Sequence, residues 1–182
     1  YYWWSIKLSS ALPTITGAVY INGTSQPTNE TYKNLYGPVI EVSGKKASVA
    51  DGLVIKATGC TIECLTINSF TREGLWIKSS YNKIIGCYLG TNVTGEVALG
   101  NLTGVLVSGD ALADTVQGVE IGGVLPQERN IISGNSNYGI YFHGPGIRYN
   151  EIFGNYIGTN TNGTKALGNS WCGIEFEHGA RY

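Results

Sequence analysis

The chain repeats one of its own segments with few changes. The first copy, at residues 82–101, has the sequence NKIIGCYLGTNVTGEVALGN, and the second, at residues 150–169, has the sequence NEIFGNYIGTNTNGTKALGN. The two copies are offset by 68 residues, align without a gap and share 12 of 20 positions. Self-similarity of this density indicates a repeat architecture, in which each unit buries its apolar side chains against its neighbours.

A shorter period runs along the chain from Gly52 onward. It consists of apolar pairs with one residue between them, an alternation that is typical of short strands. The first members of successive pairs are Leu53, Leu75, Val105, Ile140 and Ile174, at steps of 22, 30, 35 and 34 residues. The extra length falls in segments rich in Gly and Asn, which form turns. We therefore predict an all-β fold, a right-handed parallel β-helix (a solenoid) with three short strands per coil, about five to six coils and loop insertions at the corners.

The predicted organisation is a single β-helix domain over residues 1–182. Residues 1–51 would form the N-terminal coils, with strands at 4–8, 14–16, 19–21 and 38–42 and a polar loop at 24–37, and residues 52–182 the regular repeats. The chain contains no Met and no segment that resembles a signal peptide. We therefore expect it to be a fragment of a longer protein.

Composition excludes several classes of partner. Only 14% of the residues are charged and the net charge is -1, so nothing favours binding to nucleic acid or to an anionic membrane. No apolar run approaches the ~20 residues of a membrane-spanning helix, so no membrane insertion is expected. The 26 glycines suit an all-β chain with many tight turns.

The four cysteines do not form a metal-binding pattern. They are Cys60, Cys64, Cys87 and Cys172. The close pair at 60 and 64 has no second Cys or His pair to complete a zinc site. Buried thiols and a single disulfide both remain open, and we predict neither a metal site nor a cofactor.

Two pairs of asparagines recur at equivalent corners of the predicted coils. Asn82 and Asn150 share one corner, and Asn130 and Asn155 share the next. Stacked amide side chains can bond to each other and to turn carbonyls. We interpret these four residues as a structural ladder and not as a binding site.

Two outward rows are predicted on the first strand of each coil. One row is Val54, Trp76, Leu106, Tyr141 and Glu175, and the row beside it is Lys56, Lys78, Ser108, His143 and Glu177. On the third strand Tyr88 and Tyr156 point outward. Exposed aromatic stripes mark contact surfaces, and the residues expected to bind a partner or glycan are Trp76, Lys78, Tyr88, Tyr141, His143 and Tyr156. We expect packing on a neighbouring protein in preference to sugar binding, because carboxylates and amides that could hold sugar hydroxyls are not expected beside the aromatic rows.

Catalytic groups are sparse in the sequence. The three aspartates, Asp51, Asp110 and Asp114, fall in predicted loops and out of register with one another. The best acid–base cluster is Glu175, Glu177 and His178, on and just after one strand. Glycosidases and lyases of this architecture need carboxylates close together on one face, so we expect a protein that is not an enzyme, with no catalytic residue assigned.

Three segments resemble the repeats of secreted bacterial right-handed β-helix proteins of the pectate-lyase-like superfamily. They are IKLSSALPTITGAVYINGTSQP at 6–27, GVEIGGVLPQERNIISGN at 118–135 and the second copy at 150–169. Departures from the pattern include Cys60 and Cys87 at common Asn or Gly positions, and Asn92 and Asn160 where the family often has Asp.

The resemblance implies an extracellular or cell-surface location, usually within long multidomain chains. It does not imply one activity, because the superfamily holds polysaccharide-degrading enzymes, adhesins and structural spacers. The leading hypothesis is a structural or adhesive segment of an exported bacterial surface protein, a rigid rod whose aromatic faces meet neighbouring domains, subunits or a glycan. The alternative is a polysaccharide lyase or glycoside hydrolase with its catalytic coil in this chain or in flanking sequence.

Overall fold

A computed structural model describes residues 2–26, 37–48, 50–111 and 114–181 of the chain. Regular structure over these residues is almost entirely strand. The strands in chain order are β1 (Trp4–Lys7), β2 (Tyr20–Asn22), β3 (Ile40–Ser43), β4 (Leu53–Ile55), β5 (Thr61–Glu63), β6 (Leu65–Asn68), β7 (Glu73–Ile77), β8 (Lys83–Ile85), β9 (Tyr88–Leu89), β10 (Thr103–Val107), β11 (Val116–Gln117), β12 (Glu120–Gly122), β13 (Ile131–Ile132), β14 (Tyr138–His143), β15 (Ile147–Arg148), β16 (Glu151–Phe153), β17 (Tyr156–Ile157) and β18 (Cys172–Glu177). Short 3₁₀ turns cover Gly23–Ser25 and Pro126–Glu128.

The strands form three large parallel sheets and one small one. Sheet 1 has the order β1-β3-β6-β9-β13-β17, sheet 2 the order β4-β7-β10-β14-β18, and sheet 3 the order β2-β5-β8-β12-β16, while β11 pairs with β15 alone. From β4 onward the chain visits sheets 2, 3 and 1 in turn, with β11 and β15 inserted after sheet 2. The prediction of an all-β fold built from parallel strands is confirmed.

The apolar core consists of rows that cross the sheets from strand to strand. In sheet 3, Ile62 pairs with Ile84, Ile84 with Ile121, and Ile121 with Ile152. The first three of these side chains are fully buried. Removing such a side chain from water contributes roughly 1.5–3 kcal/mol, so every strand added to the row stabilises the strand before it.

The N-terminal part follows the predicted pattern less closely. Strands lie at 4–7, 20–22 and 40–43, whereas the strand expected at 14–16 is reduced to a single bridge between Ile15 and Ile55. Most of the polar loop expected at 24–37 lies outside the described residues. Pro13 precedes the bridge, and a residue without an amide hydrogen cannot contribute to a longer ladder there.

Each of the four asparagines predicted to form a ladder precedes a strand and bonds to the segment that precedes the neighbouring strand of the same sheet. Oδ1 of Asn82 accepts from the amide of Cys60 at 2.7 Å, and Oδ1 of Asn150 accepts from the amide of Val119 at 2.9 Å. At the other corner Oδ1 of Asn130 accepts from the amide of Cys87 at 2.8 Å. The side chain of Asn130 then donates to Oδ1 of Asn155 at 2.9 Å. These bonds satisfy backbone groups that a turn between strands leaves unpaired.

A third ladder, which the sequence analysis missed, joins Asn101, Asn135 and Asn169. The amide of Asn101 donates to Oδ1 of Asn135, and the amide of Asn135 donates to Oδ1 of Asn169, both at 3.1 Å. The three side chains also donate to the carbonyls of Ile67, Leu89 and Ile132. A signal was present, because Asn101 and Asn169 are the last matched residues of the repeated segment.

The two inserted loops, residues 90–101 and 158–169, have the same fold and touch each other. Each is closed by an antiparallel bridge, Thr91 with Ala98 and Thr159 with Ala166. The carboxylate of Glu96 in the first loop accepts from Nδ2 of Asn160 at 3.1 Å in the second. The two loops follow β9 and β17, the strands that flank β13 in sheet 1.

All four cysteines are free thiols. Cys60 and Cys87 are fully buried at the positions that Asn82 and Asn130 occupy before the neighbouring strands, while Cys64 and Cys172 are partly buried. Of the two alternatives left open by the sequence, the structure has buried or half-buried thiols and no disulfide among these four.

Candidate functional site

The outer face of sheet 2 carries the predicted aromatic row. Trp76 on β7 is the register partner of Leu106 on β10, and Leu106 is the partner of Tyr141 on β14. The residues on either side of them, such as Leu75 and Ile77, are fully buried, so alternation along each strand directs the row outward. Two strand spacings of ~4.8 Å place Trp76 and Tyr141 about 10 Å apart.

Trp76 and Tyr141 form two walls of an open cavity of about 330 Å³. Its lining includes Trp76, Leu106, Ser108, Asp110, Tyr141 and His143. The volume is at the lower end of the range for small-molecule sites, and an apolar surface with a few convergent polar groups is their usual composition. The cavity combines both kinds of surface on one side of a rigid sheet.

The Trp76 wall is held by polar contacts. Its indole Nε1 donates to Oγ of Ser108 at 2.9 Å, and Nζ of Lys78 lies 3.7 Å from the ring centroid. Lys78 also pairs with the carboxylate of Asp110, which receives a second ion pair from Lys56 at 2.7 Å. Hydrogen bonds from Lys56 and Lys78 hold the pKa of Asp110 below its ordinary value. The indole therefore has a fixed orientation before any ligand arrives.

The Tyr141 wall is held in a similar way. Its ring stacks on Tyr138 with centroids 4.5 Å apart, and its hydroxyl donates to Glu177 and lies 2.8 Å from Nδ1 of His143. Burial, followed by the hydrogen bond to Glu177, raises the pKa of Tyr141. The same hydrogen bond lowers the pKa of Glu177, with smaller contributions from His178 and His143. The phenol is thus kept protonated and the carboxylate kept ionised.

Four of the six predicted binding residues meet on this face, and two do not. Trp76, Tyr141 and His143 lie on strands of sheet 2 and Lys78 directly follows β7, whereas Tyr88 and Tyr156 lie on sheet 1. The expectation that Tyr88 is exposed is wrong, because it is 4% exposed and packs beneath the first inserted loop at Gly95. Tyr156 is half-buried, with the guanidinium of Arg129 4.2 Å from its ring centroid.

The premise that carboxylates are missing beside the aromatic row is also wrong. Asp110 lies in the cavity next to Trp76, and Glu177 bonds to Tyr141. The third member of the predicted acid–base cluster, Glu175, is the register partner of Tyr141 and accepts from Sγ of Cys172 at 3.3 Å. Asp110 lies in a loop, as predicted, but the loop folds onto the sheet, and strand periodicity does not predict that path.

A second carboxylate cluster, at the start of β7, joins Asp51, Arg72 and Glu73. Oδ1 of Asp51 accepts from Nε of Arg72 at 3.2 Å and from the amide of Glu73 at 3.3 Å. Burial and a hydrogen bond to Asp51 raise the pKa of Glu73 to about 7. The positions of the aspartates relative to one another do not reveal Glu73 as the partner of Asp51, because the two residues are 22 positions apart.

No family model matches the chain, and no curated protein or solved structure is significantly similar to it. Within the described part of the chain, the helices are single 3₁₀ turns, far short of the length needed to cross a membrane. A functional assignment therefore rests on the contacts and chemistry of the residues described above.

Proposed function

We propose that the chain is a right-handed parallel β-helix of about five to six coils and belongs to an exported bacterial surface protein. The cyclic succession of sheets 2, 3 and 1 supports the coil arrangement, since each return to sheet 2 adds one parallel strand beside the last. The resemblance of three segments to secreted β-helix repeats supports the location. Stacked coils of this kind make a rigid rod that can carry a binding face.

The binding face we propose is the cavity on sheet 2, and the ligand class is a glycan. The observation that carries this assignment is the pair of fixed aromatic walls, Trp76 and Tyr141, on either side of a polar-rimmed cavity. Sugar rings present apolar C–H faces, which pack on aromatic rings, and hydroxyl edges, which need acceptors and donors. Asp110 supplies acceptors beside Trp76, and His143 supplies a donor or acceptor beside Tyr141.

Preorganisation favours this use of the face. Tyr138 covers one side of the Tyr141 ring, and Lys78 covers one side of Trp76. A ring held in this way loses little conformational freedom when a ligand packs against its other side. Glycan binding thus needs no rearrangement of the sheet, and the chain would act as an adhesive rod and not as an inert spacer.

The test is binding of neutral and acidic oligosaccharides, measured by glycan array and then by calorimetry. We expect Trp76→Ala and Tyr141→Ala each to weaken binding at least about tenfold while the β-rich circular dichroism is unchanged. Trp171→Ala is the matched control, because Trp171 is 73% exposed and lies outside the cavity. Full binding by both cavity variants would contradict the proposal. If no glycan binds and the same variants lose a contact with another protein, the face would instead be assigned to a partner protein.

Polysaccharide cleavage is the second candidate, and the cluster of Asp51 and Glu73 is the observation that favours it. A carboxyl group with a pKa near 7 beside a second carboxyl group is the arrangement of a general acid and its partner. The candidate is weaker because Glu73 is 9% exposed, which leaves little room for a sugar. Assays for reducing ends and unsaturated products would detect cleavage, and Glu73→Gln should abolish it.

A further inference from the structure

The sequence contains two histidines, and the fold brings them together. His143 and His178 are 35 positions apart, yet their ring centroids are separated by 4.5 Å. Oε2 of Glu177 lies 3.8 Å from Nδ1 of His143 and 3.6 Å from Nδ1 of His178. Ligand atoms of the three residues all fall within 4.8 Å of one another. We propose that His143, Glu177 and His178 bind a divalent transition-metal ion, with zinc as the reference ion.

The donor set decides the class of ion. Two imidazole nitrogens and one carboxylate oxygen are the ligands of open zinc sites, whereas calcium and magnesium take oxygen ligands. Ligand atoms around a tetrahedral ion with bonds of ~2.1 Å lie ~3.4 Å apart. Nδ1 of His178 lies 3.6 Å from Oε2 of Glu177, within a few tenths of an ångström of that value, and the ligand atoms of all three residues lie within 4.8 Å of one another. All three side chains are partly exposed, so their rotation is free to bring the ligand atoms closer.

The backbone fixes the three ligands independently. His143 and Glu177 are register partners on β14 and β18, so the parallel pairing sets their separation. His178 follows β18 with a φ of 54°, in the left-handed region that residues other than Gly seldom adopt. Residues held in that conformation often occupy functional sites.

The hydroxyl of Tyr141 supports the first two ligands. It donates to Glu177 and lies 2.8 Å from Nδ1 of His143. Because Nδ1 of His143 is engaged by the phenol, its Nε2 is the nitrogen that would bind the ion, and hydrogen bonds of this kind commonly orient metal ligands. The phenol thus holds an imidazole and a carboxylate side by side on the outer face of sheet 2.

The ion would lie at the rim of the glycan cavity, because His143 belongs to both sites. Three protein ligands leave a fourth position for water or for an oxygen of a bound molecule. The metal site goes beyond the proposed glycan function and does not depend on it, since His178 and Glu177 lie outside the cavity lining. The protein could bind a glycan without binding a metal ion, and it could bind a metal ion without binding a glycan.

The test is calorimetric titration of tag-free, reduced protein with zinc and, separately, with calcium. We expect saturable zinc binding at one ion per chain and none for calcium. His178→Asn, which suits a positive φ, and His143→Gln should each weaken zinc binding at least about tenfold. Glu151→Gln, which removes an exposed carboxylate from sheet 3, and Cys172→Ser should leave it unchanged.

Three results would overturn the proposal. The first is the absence of saturable zinc binding, and the second is zinc binding of unaltered affinity in both histidine variants. The third is an intense sulfur-to-metal absorption band when cobalt(II) replaces zinc, because that band would place the ion on a cysteine. A cobalt spectrum without that band, lost in His178→Asn, would support the three-ligand site. Circular dichroism of each variant separates loss of the site from loss of the fold.

Discussion

The hydroxyl of Tyr141 donates a hydrogen bond to Glu177, a residue two positions beyond its own register partner on the neighbouring strand. The bond is diagonal across the pair β14 and β18, within reach of a long aromatic side chain. It connects the aromatic wall of the cavity to the carboxylate of the proposed metal site.

We expect Tyr141→Phe to raise the pKa of Glu177 toward its ordinary value, because the hydrogen bond from the phenol is the main cause of its depression. Carboxyl chemical shifts followed by NMR during an acid titration would measure the change. Tyr138→Phe is the control, since it keeps the hydroxyl of Tyr141 in place. An unchanged pKa in the first variant would show that the hydrogen bond does not govern Glu177.

Stability should depend on pH through Glu73. Its pKa is raised from 4.5 to about 7 in the folded state, so the folded chain binds more protons than the unfolded chain between these values. The free energy of unfolding should therefore fall as the pH rises from 4.5 through 7, by at most about 3 kcal/mol. Glu73→Gln should remove that part of the pH dependence in urea unfolding measured at several pH values. Glu151→Gln, at an exposed site, should keep it.

The Asn101–Asn135–Asn169 ladder should be sensitive to truncation. Asn135 is fully buried, accepts from the amide of Asn101 and donates to the carbonyl of Leu89. Asn135→Ala leaves these groups unpaired, which should lower the free energy of unfolding by about 2–4 kcal/mol. The matched control is Asn162→Ala, at an exposed position in the second inserted loop, with an expected effect within about 0.5 kcal/mol. Equal effects in urea unfolding would mean that the ladder does not stabilise the fold.

Thiol reactivity should separate the four cysteines into two classes. Cys60 and Cys87 are fully buried, and burial raises the pKa of Cys87 to about 12, so neither should react with Ellman's reagent in the native protein. Cys64 and Cys172 are partly buried and should react slowly, because burial raises the pKa of both. Without reductant, urea should expose four reactive thiols. Two thiols in urea would instead indicate a disulfide.

Periodicity made much of the sheet register predictable. The outward row through Trp76, Leu106 and Tyr141 follows from counting alternate residues, because side chains in a strand alternate between faces. Counting could not show that an inserted loop covers Tyr88, since loop paths depend on contacts between distant segments. The contact between His143 and His178 could not be predicted for a related reason. It requires an unusual backbone conformation after β18, which strand periodicity does not indicate.

The corner after β13 contains Gly134, whose φ of 74° and lack of a side chain let the first inserted loop lie across it. A Cβ atom there would come within 2.7 Å of Cβ of Ala98, and the amide of Gly134 donates to the carbonyl of Leu167 in the second loop. The segment after β13 is therefore confined between the loops that follow β9 and β17, and we expect it to accept neither a larger residue at position 134 nor an inserted residue.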